Sequence, residues 1–193
     1  MSDDGFSEFA DGYFTRLADA ARAIDRTALA RARDLIATLR TTGGCLLVAG
    51  NGGSAAIANH LECDATKGTL VEGVAPIRSR SLSANPSVLT AIANDIEFGA
   101  VFAKQIEMYA RDGDVVLLVS SSGSSPNVIA ACHAAKARRL PTIALVGFSG
   151  GGLAKLADVV VHVAVSDYGI VEDLHQSVLH LITQHLRAHP HAH

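Results

Sequence analysis

Two short stretches of this chain carry residues able to bind an anion, and two more carry residues able to hold a metal or move a proton. The first stretch, "CLLVAGNGGSAAIANHLECD" from Cys45 to Asp64, is an apolar run that breaks into Asn51-Gly52-Gly53-Ser54 and ends with His60 and Asp64. The second, Ser120-Ser121-Ser122-Gly123-Ser124-Ser125, follows the apolar run "DVVLLV". Glycines let a ligand approach the backbone, N–H groups at a helix start favour an anion, and serine hydroxyls add donors. A phosphate is the expected guest. Either loop alone could simply connect elements, with Ser54 or Ser124 as a helix N-cap, but two equivalent loops argue for a ligand. Neither is a Walker or GxGxxG sequence, so nucleotide motifs find no support.

His60 and Asp64 are spaced i, i+4 on the helix expected to begin near Gly53, so they share a face and can approach one ion or each other. Glu62 falls on another face. Near the C-terminus, "VEDLHQSVLHLI" carries Glu172, Asp173, His175 and His180 in one amphipathic segment. In isolation, each is as consistent with a solvated helix face.

The elements that must position these residues follow from period and punctuation. Helical spacing of apolar residues runs from Phe6 to Ala21 and from Arg26 to Leu39, which predicts two amphipathic helices ahead of the main domain. Glycine-bounded "CLLVAG" suits a strand buried on both faces, and similar runs recur at "PIRSRSLSA", "DVVLLVSSS", "PTIALVGFS" and "DVVVHVAVS". Each is followed by a segment able to form a helix. This βαβα alternation predicts an α/β fold with a five-stranded parallel sheet and helices on both faces, doubly wound and flavodoxin-like. The arginines in "IRSRSLS" place that strand towards an edge. In such a sheet ligands bind beyond the carboxyl ends of the strands, where both loops fall. "GFSGGG" from Gly147 to Gly152 reads as a further connection. The expected division is residues 1–42 as N-terminal helices packing in an oligomer, 43–188 as the domain, and 189–193 as a poorly ordered tail.

Composition limits the remaining choices. The chain has 193 residues, is 49% apolar and carries a formal charge of −3, which suits one compact domain and offers no basic surface for nucleic acid. No apolar run approaches the roughly 18–20 residues needed to span a bilayer. Cys45, Cys63 and Cys132 are widely spaced without a CxxC pair, and the first residues are acidic, so a cytoplasmic location is expected.

Taken together, "AGNGGSAA" with a histidine six residues after Ser54, "LTAIAND", "SSSGSSPN", and a terminal helix with an acid and a histidine eight apart resemble the sugar isomerase (SIS) fold. The resemblance is closest to the phosphoheptose isomerases, also called sedoheptulose 7-phosphate isomerases, and runs from about Ala30 to Leu186. It implies a substrate site of Asn51, Gly52, Gly53, Ser54, Asn94, Asp95, Ser120, Ser121, Ser122, Ser125 and Glu172. It implies a metal set of His60, Asp64, Glu172 and His180, with Zn²⁺ the first choice and Mn²⁺ or Fe²⁺ acceptable. It also implies a homotetramer with active sites at subunit interfaces.

Two metal positions depart from the family pattern: aspartate stands for glutamate at 64 and glutamate for glutamine at 172. Aspartate is shorter by one methylene, about 1.5 Å, so the helix or the ion must shift. Asn85-Pro86-Ser87 is a further difference. On a continuous helix eight residues advance about 12 Å, so Glu172 and His180 of one helix cannot grip one ion. Either Glu172 precedes the helix on a loop that folds back, or the two come from different subunits; the implied tetramer favours the second.

The chemistry implied is aldose–ketose interconversion of a phosphosugar, from sedoheptulose 7-phosphate to D-glycero-D-manno-heptose 7-phosphate, through an enediol(ate). Asp64 is the implied base, His180 its acid/base partner, and Glu172 a carboxylate able to share the work. Two other readings fit the same scaffold: an isomerase of a different phosphosugar, and a non-catalytic SIS-fold regulator that binds a protein partner.

Overall fold

The computed structural model describes residues 5–191. Helices α1 (Phe6–Ala23) and α2 (Arg26–Thr42) precede a sheet of five strands: β1 (Leu46–Gly50), β2 (Ser79–Ser81), β3 (Val115–Ser120), β4 (Thr142–Val146) and β5 (Val159–His162). Between and after the strands lie α3 (Gly53–Cys63), α4 (Pro86–Asp95), α5 (Val101–Tyr109), α6 (Pro126–Ala137), α7 (Leu153–Leu156) and α8 (Tyr168–Ala188). All strand pairs are parallel, in the order β2-β1-β3-β4-β5. The doubly wound parallel sheet expected from the alternation is thus present, with the arginine-bearing strand at its edge.

The apolar runs form strands because both of their faces are covered. Leu46 and Val48 face one core together with Leu117, Val119, Ile143, Leu145 and Val161. Their neighbours Leu47, Ala49, Val116, Leu118, Ala144 and Val146 face the other. This is the period of two that a pleated strand imposes. The first core is closed by residues of α2, α3 and α8, including Ile36, Leu61 and Leu179. The second is closed by α4, α5 and α6 with Ile92, Phe102 and Cys132. Fully burying one such Leu or Ile contributes about 1.5–3 kcal/mol, so two continuous layers hold the sheet without cross-links.

Helix ends follow their caps. Asp25 accepts from Thr27 N at the start of α2, and Asn85 accepts from Ser87 N and Val88 N at the start of α4, where Pro86 takes the first turn. Gly43, with φ of 70°, closes α2 in the left-handed conformation. The C-terminal tail expected from residue 189 is described only to His191: His189 stacks on His185 at 4.4 Å between ring centroids, and residues 192–193 lie outside the described residues. No helix among the described residues is long and apolar enough to cross a membrane.

Candidate active site

The strand order reverses direction between β1 and β3, and a crevice opens there beyond their carboxyl ends, where doubly wound sheets bind ligands. Asn51, Gly52, Gly53 and Ser54 from the first loop line it, with Ser120, Ser121, Ser122 and Ser125 from the second. Val119, Tyr168 and Glu172 complete the lining of a cavity of about 260 Å³.

The two loops are locked to each other. Asn51 Nδ2 donates to Asn127 Oδ1 at 2.8 Å, and Asn127 Nδ2 donates back to Asn51 Oδ1 at 2.9 Å. The serine loop is also braced from behind by the glycine turn after β4: Gly147 N donates to Ser121 O at 2.8 Å and Leu153 N to Gly123 O at 2.9 Å. Gly123 adopts φ of 63° and lies against the Gly150 carbonyl so closely that no β-carbon fits. The "GFSGGG" connection therefore contributes to the site by holding its phosphate-side loop.

The hydroxyls are not consumed in capping. Ser125, the N-cap of α6, makes no side-chain cap bond. Ser124 Oγ turns back to Ser122 O at 3.3 Å. Ser121 Oγ is buried with no hydrogen-bond partner, which is costly unless a ligand supplies one. Glu172 reaches over the first loop so that its carboxylate fills the space where a β-carbon of Gly53 would stand.

A second cluster lies further along the same two helices. His60 Nε2 is 3.3 Å from Asp64 Oδ2, His180 Nε2 is 3.4 Å from that oxygen, and the two Nε2 atoms are 3.1 Å apart. α3 and α8 run side by side in the same direction, since Gly53 meets Glu172 at one end and His60 meets His180 at the other. α3 stops at Cys63, and Asp64 begins a π-helical turn, Asp64–Gly68. That widened turn is the kind of helix irregularity that recurs at functional sites.

These atoms fit a divalent ion. Bonds of about 2.0–2.1 Å to a tetrahedral metal put neighbouring ligand atoms about 3.3 Å apart, which is the spacing of this triangle. His60 and His180 are half exposed, with side chains 50% and 40% accessible, so the triangle opens to solvent or to a partner surface. A cavity of about 290 Å³ beside Asp64 and His180 is lined by Gly68, Thr183, Gln184 and Arg187.

The residues singled out in the sequence therefore separate into groups. His60, Asp64 and His180 converge, whereas Glu172 does not join them within the chain. It lies inside α8 and not on a preceding loop, which removes one of the two arrangements considered, and its carboxylate belongs to the crevice. Asn94 and Asp95 are exposed at the end of α4, paired with each other through Asn94 Nδ2 to Asp95 Oδ1 at 2.8 Å, and line neither cavity. His175 is fully buried; burial pushes its pKa down to about 4, with the Val146 backbone pulling the other way and His162 adding to the fall.

Asn127, Tyr168 and Gln176 were not identified from the sequence. Asn127 follows the proline that starts α6, and Gln176 stands four residues before His180, so helical spacing alone could have pointed to the latter. Gln176 Nε2 lies 2.9 Å from His180 Nε2. Asp173, beside Glu172, accepts from Tyr13 Oη at 2.6 Å, and Arg16 pairs with Asp167 at 3.2 Å, which fastens α1 across the start of α8.

Comparison with known proteins agrees with this geometry. The family model for the SIS domain matches residues 11–147. A phosphoheptose isomerase of Rhodospirillum rubrum is 35% identical over 177 residues, covering 92% of this chain and 91% of that protein. One from Desulfovibrio desulfuricans is 40% identical over 149 residues, covering 77% and 70%. The structure of phosphoheptose isomerase from Neisseria gonorrhoeae superposes with a TM-score of 0.87 at 31% identity, covering 95% of this chain and 99% of that one. With a doubly wound sheet, a glycine loop and a serine loop at its switch point, and these matches along nearly its whole length, the chain belongs to the SIS-domain family and, within it, to the phosphoheptose isomerases.

Proposed function

We propose that the protein isomerises sedoheptulose 7-phosphate to D-glycero-D-manno-heptose 7-phosphate, in the crevice and along the α3–α8 ridge that leads from it. The observation that carries this reading is that the crevice, through the Asn51–Ser54 loop and Glu172, and the His60–Asp64–His180 cluster share one pair of parallel helices. The names of the relatives supply the substrate class.

The phosphate belongs against the serine loop, where Ser121 Oγ lacks a partner and the N-terminus of α6 adds its partial positive charge. An extended seven-carbon phosphosugar spans about 10 Å from phosphorus to C1 by ordinary bond lengths. Glu172 and His180 are separated by about 12 Å along α8. Because the sugar is shorter than this separation, one anchored at the serine loop extends past Glu172, which accepts hydrogen bonds from its hydroxyls, and its C1 and C2 meet a His60–Asp64–His180 cluster brought close by subunit packing in the tetramer. There Asp64 takes the proton from the carbon beside the carbonyl. Its Oδ2 faces both histidines, which leaves Oδ1 as the accepting atom. His180 passes a proton between the neighbouring oxygens, and the proton held on Asp64 returns to the adjacent carbon.

His60, Asp64 and His180 would hold a divalent ion, Zn²⁺ first by their nitrogen and oxygen donors. When bound, it supplies Lewis-acid stabilisation of the oxyanion that develops during enolisation. The assembly consistent with the exposed phenylalanines of α1, Phe6, Phe9 and Phe14 at 69%, 66% and 63% accessibility, is a homotetramer that buries them and covers the open face of the cluster. A cytoplasmic location suits the three free thiols.

The test is turnover of sedoheptulose 7-phosphate by the purified chain, compared with other ketose phosphates, before and after chelation and with single metals restored. Conversion that falls on chelation and returns with one metal supports the reading. No turnover of any phosphosugar under any of these conditions would overturn it.

A further inference from the structure

Phe148 is held in a conformation that side chains rarely adopt. It lies two residues beyond the end of β4 with φ of 48°, in the left-handed region that favours glycine. Two hydrogen bonds fix it there: its N–H donates to Val165 O at 3.1 Å, and His162 Nε2 lies 2.9 Å from its carbonyl oxygen. Such a conformation persists where its surroundings impose it, and it recurs at ligand clamps. The ring so placed is half-buried and rests on Tyr168, with 4.7 Å between ring centroids and 54° between planes.

Tyr168 is the first residue of α8, and it lines the crevice while remaining 60% accessible, so it stands at the rim. Its Oη has no hydrogen-bond partner among the described residues. Phe148 decides which end of the crevice it serves. The residue before Phe148 is Gly147, whose N–H holds Ser121 O at 2.8 Å, so the pair of rings adjoins the serine loop. Glu172 is one turn further along the same face of α8, with its carboxylate against Gly53. Donors therefore stand at one end of the crevice and an acceptor at the other. No lysine or arginine is among the described residues that line it, whereas Glu172 brings negative charge. A phosphate here is held by neutral donors, and the loss of one is felt.

We propose that Tyr168 is a specificity-determining residue of the crevice, whose phenol donates to a phosphate oxygen seated on the serine loop, and that Phe148 is the positioning residue that fixes its ring. The proposal rests on the isomerase reading given above for the source of that phosphate. A phenol has one O–H to give, and this one is otherwise unused. Its ring, carried by Phe148, covers the side of the anion that the serine loop leaves open. A sugar without the phosphate offers Tyr168 no charged acceptor, so the residue favours phosphorylated substrates.

The test uses the full chain, with inorganic phosphate titrated by calorimetry and sedoheptulose 7-phosphate turnover measured alongside. Tyr168→Phe removes one oxygen and keeps the ring contact. It is expected to weaken phosphate about 10-fold or more, the value of one hydrogen bond to a charged group. KM should rise by a similar factor while kcat stays within about twofold, because the phosphate does not change during the reaction. Phe148→Gly accepts the same backbone conformation and removes the ring. It should weaken phosphate in the parent and have little further effect in Tyr168→Phe. Circular dichroism and thermal melts read folding separately. If Tyr168→Phe binds phosphate as the parent does, the assignment is wrong, and turnover by the parent still leaves the isomerase reading standing. Equal effects of Phe148→Gly in both backgrounds would show that it acts on the serine loop directly and overturn its positioning role. A parent that binds phosphate but turns over no phosphosugar ends the isomerase reading, while the phosphate affinities still decide the role of Tyr168. A parent that binds no phosphate ends the proposal.

Discussion

Glu172 occupies the place where a side chain at position 53 would begin. The carboxylate lies within contact of the virtual β-carbon of Gly53, so the glycine and the glutamate are complementary although 119 positions separate them (172 − 53). The first loop is thereby tied to α8, and the carboxylate is fixed at the mouth of the crevice. Gly53→Ala should push the flexible end of Glu172 aside with little effect on folding, since the three atoms nearest to the methyl all belong to that carboxylate. A displacement of about 1 Å at such a group can cost on the order of 100-fold in rate, so kcat/KM should fall steeply while Tm stays close to the parent.

Ser121 presents the opposite balance of stability and function. Its hydroxyl is buried and unpartnered, so Ser121→Ala removes a desolvated group and should leave the free protein as stable or slightly more so. If the hydroxyl meets the substrate phosphate, the variant loses a hydrogen bond to a charged group, about 1.5–3 kcal/mol, and KM should rise about 10- to 100-fold. Thermal melts with and without phosphosugar separate the two effects: the stabilising shift on adding ligand should shrink in the variant.

The reciprocal amide pair Asn51–Asn127 predicts strong coupling. Replacing Asn127 by Leu strands one donor and one acceptor of Asn51 in a half-buried place, at a cost of about 1–3 kcal/mol. Replacing both residues should cost less than the sum of the single changes. Urea denaturation of the four members of the cycle measures this, and strict additivity would show that the pair is not cooperative.

His175 predicts the acid limb of the stability profile. Its folded pKa of about 4 lies below the ordinary value of 6.5, because burial disfavours the charged ring. The unfolded chain therefore binds a proton that the folded chain refuses. The stabilisation is fully present above pH 6.5 and is lost as pH falls from there to about 4. A shift of this size is worth on the order of 3 kcal/mol. His175→Leu should flatten the fall of stability in that window, as read from denaturant midpoints between pH 7 and pH 4. An unchanged slope would assign the acid sensitivity to other groups.

Strands and loops were legible in the residues alone. Apolar runs bounded by glycine, repeated with helical segments between them, permit few packings other than a parallel sheet covered on both faces. The two anion loops then fall at the carboxyl ends of β1 and β3 because strand, loop and helix start are contiguous in the chain. His60 and Asp64 could be paired for the same reason, since an i, i+4 spacing is local geometry. Contacts across the fold were not available from that information. The crossing of Asn51 with Asn127, the seating of Glu172 on Gly53, and the meeting of His60 with His180 depend on how α3, α6 and α8 are placed on the sheet. Motif resemblance grouped Glu172 with the metal set and Asn94 and Asp95 with the substrate site. Only the tertiary structure shows that Glu172 lies within α8 itself, two turns from His180 of the same chain, and that Asn94 and Asp95 end α4 exposed and paired with each other. Local spacing is fixed by the geometry of a single element, whereas the company a side chain keeps is decided by the packing of several.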